Sequence, residues 1–221
     1  MRLRIDKQDT RSLRAALIAL ALVAAVPATA APLLVTVQKR DGKPLSGAVI
    51  TAEPEVAPTP APALHAIMDQ VNLAFVPDVL VIPVHSTVQF PNSDAVSHQV
   101  YSFSSARQFQ LPLYRGKPYP PVQFDQAGVI TLGCNIHDNM LGYIVVTAAP
   151  YFGRSDARGE FSVADLPAGR YRVRAWHPLL NEAAQPERLV EIRVTRETVE
   201  FRLARPLRPA PLTDRPHSWD Y

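Results

Sequence analysis

Residues 133–140 read Gly-Cys-Asn-Ile-His-Asp-Asn-Met and set Cys134, His137 and Met140 at successive intervals of three. The chain has 1 Cys, 6 His and 3 Met, so no disulfide can form within it and no site can draw on two thiolates. A copper centre bridged by two cysteines is excluded. Thiolate, imidazole and thioether are soft or borderline donors. Two imidazoles and one thiolate in a plane, with a long axial thioether, hold copper for single-electron transfer. The loop lacks the second imidazole, and His98 is the best candidate for it. It closes Val88-Gln89-Phe90-Pro91-Asn92-Ser93-Asp94-Ala95-Val96-Ser97-His98 and opens the strand-like Gln99-Val100-Tyr101. A loop there can reach the end of a sandwich that carries residues 134–140.

Other readings compete for the same residues. A lone cysteine is often a buried apolar side chain, and Met140 can serve packing alone. An unprotected thiol is a liability in an oxidising compartment, however, whereas a metal-capped thiolate is protected. Zinc is disfavoured because methionine is a poor zinc ligand, although Asp138 could contribute to such a site. A Cys134–His137 nucleophile lacks an orienting group and an oxyanion donor set. His65, His85, His177 and His217 have no partner at ligand spacing, although His85, in a turn, is the alternative to His98.

The elements around these residues read as strands. Twenty-two prolines against nine glycines disfavour long helices. Strand-like runs at 71–75, 79–84, 87–90, 99–103, 129–132 and 143–147 surround the motif. Runs at 33–38 and 48–52 precede it, and alternating runs at 171–176, 190–194 and 199–203 follow, the mark of a sheet with one wet face. A proline-rich connector spans 54–62. From Ala95 through Phe124 there is no acidic residue, and Leu111, Leu113, Tyr114 and Tyr119 accompany Arg107, Arg115 and Lys117, which suggests a docking rim at 104–121.

The net charge of +3 comes from the N-terminus: residues 1–30 hold five basic and two acidic side chains, and the remainder holds 18 of each. Nucleic acid is therefore not an expected partner. A basic start, an apolar run from Ala15 to Val26 and Ala28-Thr29-Ala30 form the three parts of a signal peptide, residues 1–30, whose apolar run is too short to span a bilayer comfortably, the alternative being an uncleaved N-terminal anchor. The mature protein is expected to be periplasmic and not membrane-spanning.

Two resemblances follow from longer phrases. The stretches F-x-P-x-x-L-x-V at 75–82, V-x-F-x-N-x-D at 88–94, His98, and C-x-x-H-x-x-M-x-G-x-I-x-V at 134–146 resemble the cupredoxin family, with a short ligand loop similar to that of amicyanin. D-G-K-P-L-S-G-A-V-I at 41–50 and D-A-R-G-E-F-S-V-A-D-L-P-A-G-R-Y-R-V-R at 156–174 resemble a carboxypeptidase regulatory-like, or transthyretin-like, sandwich cut in two. Proteins that pair these modules are commonly labelled methylamine utilization proteins.

The resemblance implies an all-β chain, a cupredoxin Greek-key sandwich at 66–148 inserted into a small sandwich built from 31–62 and 149–206, with a loose tail at 207–221. It further implies His98, Cys134 and His137 as equatorial ligands and Met140 as axial ligand of one type 1 copper. Such a protein is not an enzyme. It passes single electrons between redox proteins such as a c-type cytochrome or a dehydrogenase. The alternatives are a copper-handling protein and a structural β module without redox turnover. Two departures stand out: Gln99 replaces the Asn usual after the first histidine, and His85-Ser86-Thr87 lacks the glycine common before V-x-F.

Overall fold

The computed structural model describes residues 30–56, 59–116, 118–181, 185–193 and 195–210. The signal peptide expected at 1–30 lies outside them except for Ala30, as does the expected tail beyond residue 210. The described residues are all β, seventeen strands in five sheets, and include no helix long and apolar enough to cross a membrane.

Two sheets enclose the first core. One orders β14 (Glu160–Pro167), β1 (Ala30–Gln38) and β17 (Glu197–Arg202); the other orders β13 (Tyr151–Arg154), β2 (Val49–Pro54), β15 (Gly169–Trp176) and β16 (Glu187–Ile192). Alternation explains the layering. On β15, Tyr171, Val173 and Ala175 are buried with Leu33 and Val35 of β1 and Phe201 of β17. The intervening Arg172 and Arg174 face outward and pair with Glu53, Glu55 and Glu187. Exposed pairs of this kind add little stability but keep the outer face wet.

The second core takes its strands from the middle of the chain. One sheet orders β10 (Val122–Phe124), β7 (Ser86–Gln89) and β3 (His65–Ile67), and the other orders β6 (Val79–Pro83), β12 (His137–Thr147), β11 (Gly128–Cys134), β8 (Tyr101–Ser104) and β9 (Arg107–Gln110). β12 runs parallel to β6 and β3 parallel to β7, so the chain crosses between sheets instead of running as consecutive hairpins. Phe75, Phe90, Phe124, Ile130, Leu132 and Ile144 fill the space between them. The two cores meet where Val49, Val79 and Val145 are buried together and Tyr143 packs on Trp176, ring centroids 5.5 Å apart.

The structure corrects one element. Residues 71–75, read as a single strand, are parts of a hairpin, β4 (Asp69–Val71) and β5 (Ala74–Val76). Asn72 and Leu73 reverse the chain with φ of 52° and 60°. The missing glycine before V-x-F is also accounted for, because His85 adopts φ 66° at that turn. Histidine tolerates this left-handed region better than most bulky residues.

Candidate metal centre

β11 and β12 pair from Gly128 opposite Val146 to Gly133 opposite Leu141, after which the register shifts and Cys134 stands opposite His137. The ligand loop is thus a tight reversal at one end of the second sandwich. Alternation aims its side chains: Ile130, Leu132 and Cys134 point inward from β11, and Met140, Ile144 and Val146 from β12. Two glycines permit close neighbours here. A Cβ on Gly133 would lie 2.7 Å from the Tyr101 ring, and one on Gly142 would lie 2.8 Å from the Cβ of Phe75.

His98 precedes β8, whose Tyr101 stands opposite Gly133 in the same sheet. Its amide donates to the Tyr114 carbonyl and its carbonyl accepts from the Tyr114 amide, both at 2.9 Å. The preceding loop is stitched by Asn92, whose Nδ2 donates to Val96 O and Tyr114 O while its Oδ1 accepts from the Asp94 amide.

These elements bring His98, Cys134 and His137 together. Nδ1 of His98 lies 3.1 Å from Nδ1 of His137, and Cys134 Sγ lies 3.8 Å and 3.5 Å from the same two atoms. His98 is wholly buried and Cys134 is 3 % exposed, while His137 is half-buried. Met140 is buried in the same core cluster as Cys134. The donor set fits a single ion. A triangle with these three sides has its centre about 2.0 Å from each corner, close to the metal–nitrogen distances of about 2.0–2.1 Å and metal–sulfur distances of about 2.3 Å found in proteins. Two ring nitrogens and a sulfur so close gain most when each presents a lone pair to a shared cation.

Among the described residues, this is the one group of three or more His, Cys, Asp or Glu donors close enough to share an ion. Asp138 is exposed and outside the group. His85 is also outside it, paired at 2.9 Å with Asp125. His65 bonds Thr87, and His177 accepts from the Leu179 amide.

Sequence reasoning missed the residues that support the centre. Tyr114, read as part of an aromatic rim, is buried and turned inward, packs on Tyr119, and donates its hydroxyl hydrogen to Phe90 O. Fully buried Gln70 donates to the Tyr114 hydroxyl and to Pro91 O. Burial, the largest influence, pushes the Tyr114 hydroxyl up to about 12, against a weaker opposing effect of Gln70. Asp94 accepts from His98 Nε2 at 2.8 Å. Burial opposes its ionisation, but hydrogen bonds from the Leu73 amide, His98 and the Asn72 amide together hold the carboxyl below its ordinary value. The N-x-D spacing at 92–94 carried the available signal for Asn92 and Asp94. Gln70 and Tyr114 had none, because their roles depend on long-range pairing.

No protein-family model matches the chain, and no curated protein matches it. Solved structures do resemble part of it. A copper-containing nitrite reductase (NirK) from Thermus scotoductus SA-01 is 28% identical over 42% of this chain, with a TM-score of 0.35, and the match spans 23% of that chain. A purple cupredoxin from Nitrosopumilus maritimus is 26% identical over 37% of this chain and 96% of its own, with a TM-score of 0.33. A reduced amicyanin variant is 22% identical over 44% of this chain and 99% of its own, with a TM-score of 0.34.

Proposed function

We propose that the chain is a periplasmic electron carrier in which His98, Cys134, His137 and Met140 would hold one copper ion in a type 1 site. The observation that carries this reading is the triangle of two imidazole nitrogens and one sulfur, sized for a single ion. Copper held there supplies reversible one-electron exchange between its Cu(II) and Cu(I) states. Cys134 provides the soft donor and is screened from solvent and oxidants by its burial. His98 is held by two backbone hydrogen bonds to Tyr114, and His137 stands opposite Cys134 across the loop, so both imidazoles would be positioned for the ion by the fold. Four protein donors leave no open position for a substrate, so the chain acts as a carrier and not as a catalyst. Half-buried His137 is the ligand nearest to solvent, next to Ile136, which is 52% exposed. A redox partner such as a c-type cytochrome or a dehydrogenase docks there.

The proposal extends to the organisation of the chain. Residues 66–148 are the copper-binding domain, inserted into a carboxypeptidase regulatory-like sandwich of 31–62 and 149–206. The two separate cores support this division. The test is copper loading of the purified protein. An intense visible thiolate-to-copper band should form, bleach on reduction and return on reoxidation. Copper bound without the band, or a band lost after one cycle, overturns the reading in favour of simple copper binding.

A further inference from the structure

The five-stranded sheet of the second sandwich has one face in the core and one turned outward. Alternation puts Tyr101, Phe103, Val129, Thr131, Gly133 and Leu141 on the outward face. Leu141 stands opposite Gly133, Gly133 opposite Tyr101, and Gln110 and Gln108 of β9 lie opposite Tyr101 and Phe103. The first sandwich covers one side of this face, where Val145 is buried with Val49 and Tyr143 packs on Trp176. The rest is open. Phe103 is 76% exposed, the only exposed aromatic side chain among the described residues, and Leu141 and Val129 are 37% and 36% exposed.

The open residues are apolar, aromatic or small, with two glutamines at the margin, and none of them carries a charge. The outward face of the first sandwich is built the other way, with Arg172 and Arg174 paired to Glu53, Glu55 and Glu187. A contiguous apolar patch rimmed by polar side chains marks a surface that packs on something. Its relief narrows the choice. β8 pairs with β11 at Tyr101 and Gly133, but further along the Ser104 hydroxyl takes over by accepting from the Thr131 amide at 2.9 Å. A groove of about 290 Å³ opens there, bordered by Tyr101, Phe103, Ser104, Thr131 and Leu141. Pockets for small molecules usually start at about 300 Å³ and are deeper.

A protruding phenyl ring therefore stands beside a shallow groove on the same uncharged face. A twofold axis through such a face seats each ring in the groove of the other copy. The lack of charge removes the like-charge repulsion that a surface meeting its own copy would suffer, and a partner selected by charge would find nothing here to pair with. We propose that this face is an interface between two copies of the chain, continuous with the junction at Tyr143 and Trp176 and anchored by Phe103. The inference is independent of the copper reading, because Cys134 and Met140 belong to the core on the other side of the sheet.

Sedimentation velocity of the purified full-length chain over a concentration series tests it. The parent should show a monomer–dimer equilibrium. Phe103→Glu, which puts a charge at the centre of the contact, should weaken the dimer about tenfold or more. Phe103→Ala should act in the same direction. Phe103 lies outside the core, so the circular dichroism of both variants should match the parent. Leu189→Glu adds the same charge at a 52% exposed position on β16 and should leave the dimer intact. A parent that stays monomeric throughout overturns the proposal, and so does a dimer that Phe103→Glu leaves unchanged. A dimer weakened equally by Leu189→Glu also overturns it, since the effect would then belong to net charge and not to this face. Assemblies that grow without limit overturn it as well, because a twofold contact closes at two copies.

Discussion

At the scale of single residues, each donor makes a different demand on the chain. In the proposed site Cys134 would supply the one sulfur donor, and Cys134→Ser replaces it with a hydroxyl that stays protonated. The visible band of the copper-loaded protein should vanish, while the circular dichroism of the fold should stay as in the parent. As the proposed fourth donor Met140 would make a weaker demand, since such a thioether bond is long and the side chain also fills the core. Met140→Leu conserves volume and should cost under about 1.5 kcal/mol of stability. It should keep the band but raise the reduction potential, because loss of the axial donor disfavours the oxidised ion. Voltammetry reads the direction, and a lowered potential would remove Met140 from the site. His98 and His85 divide cleanly: His98→Gln should abolish the band, and His85→Gln should leave it intact because His85 lies outside the cluster.

At the scale of elements, the centre depends on how the β7–β8 connection is tied down. Tyr114 bonds the His98 backbone twice and places its hydroxyl between Gln70 and Phe90 O. Tyr114→Phe would strand the Phe90 carbonyl and one Gln70 donor in the core, at a cost of about 1–3 kcal/mol, measurable by denaturant unfolding. The outer sandwich has a matching device in the turn at 156–159. Asp156 accepts from the Glu160 and Arg158 amides. The Glu160 amide contributes most to holding its carboxyl below the ordinary 3.8, with desolvation opposing it. A lowered folded value stabilises the fold above the unfolded value, and the benefit disappears as pH falls through the folded one. Asp156→Ala should therefore lower the melting temperature at neutral pH, and the gap from the parent should close in strong acid. A gap that persists there would mean the loss is one of packing. The sequence made most strands legible through alternation, as in Tyr171-Arg172-Val173-Arg174, and made the ligand loop legible because its residue types are rare. The hairpin at 69–76 was not legible, because its turn residues Asn72-Leu73 adopt positive φ with no glycine to announce it. Tyr114 was not legible either, because an apolar excursion looks the same whether it faces a partner or its own core.

At the scale of the whole molecule, strand β12 links the donor loop to the rest of the chain. It begins at His137, carries Met140 into the second core, and then presents Tyr143 and Val145 to Trp176 and Val49 of the first sandwich. The junction is small. Three valines are buried there, one aromatic pair closes it, and Arg154 donates to Asp78 at 3.0 Å and to Val79 O at 3.2 Å on its rim. The ion pair is largely exposed and contributes at most about 1 kcal/mol. Among the described residues, the other buried side chains of the two cores fall into separate clusters, so the junction should transmit only part of any stabilisation from one to the other. Copper that binds the folded second sandwich stabilises it by mass action, by about 4 kcal/mol when free metal exceeds the dissociation constant a thousandfold. Calorimetry of the full chain should accordingly show two unfolding transitions, with copper raising one strongly and the other weakly. Trp176→Ala should remove the weaker response while leaving the stronger one in place. A single transition that copper moves as a whole, in the parent and in Trp176→Ala alike, would mean that the two sandwiches unfold as one cooperative unit and that β12 couples them more tightly than this junction implies.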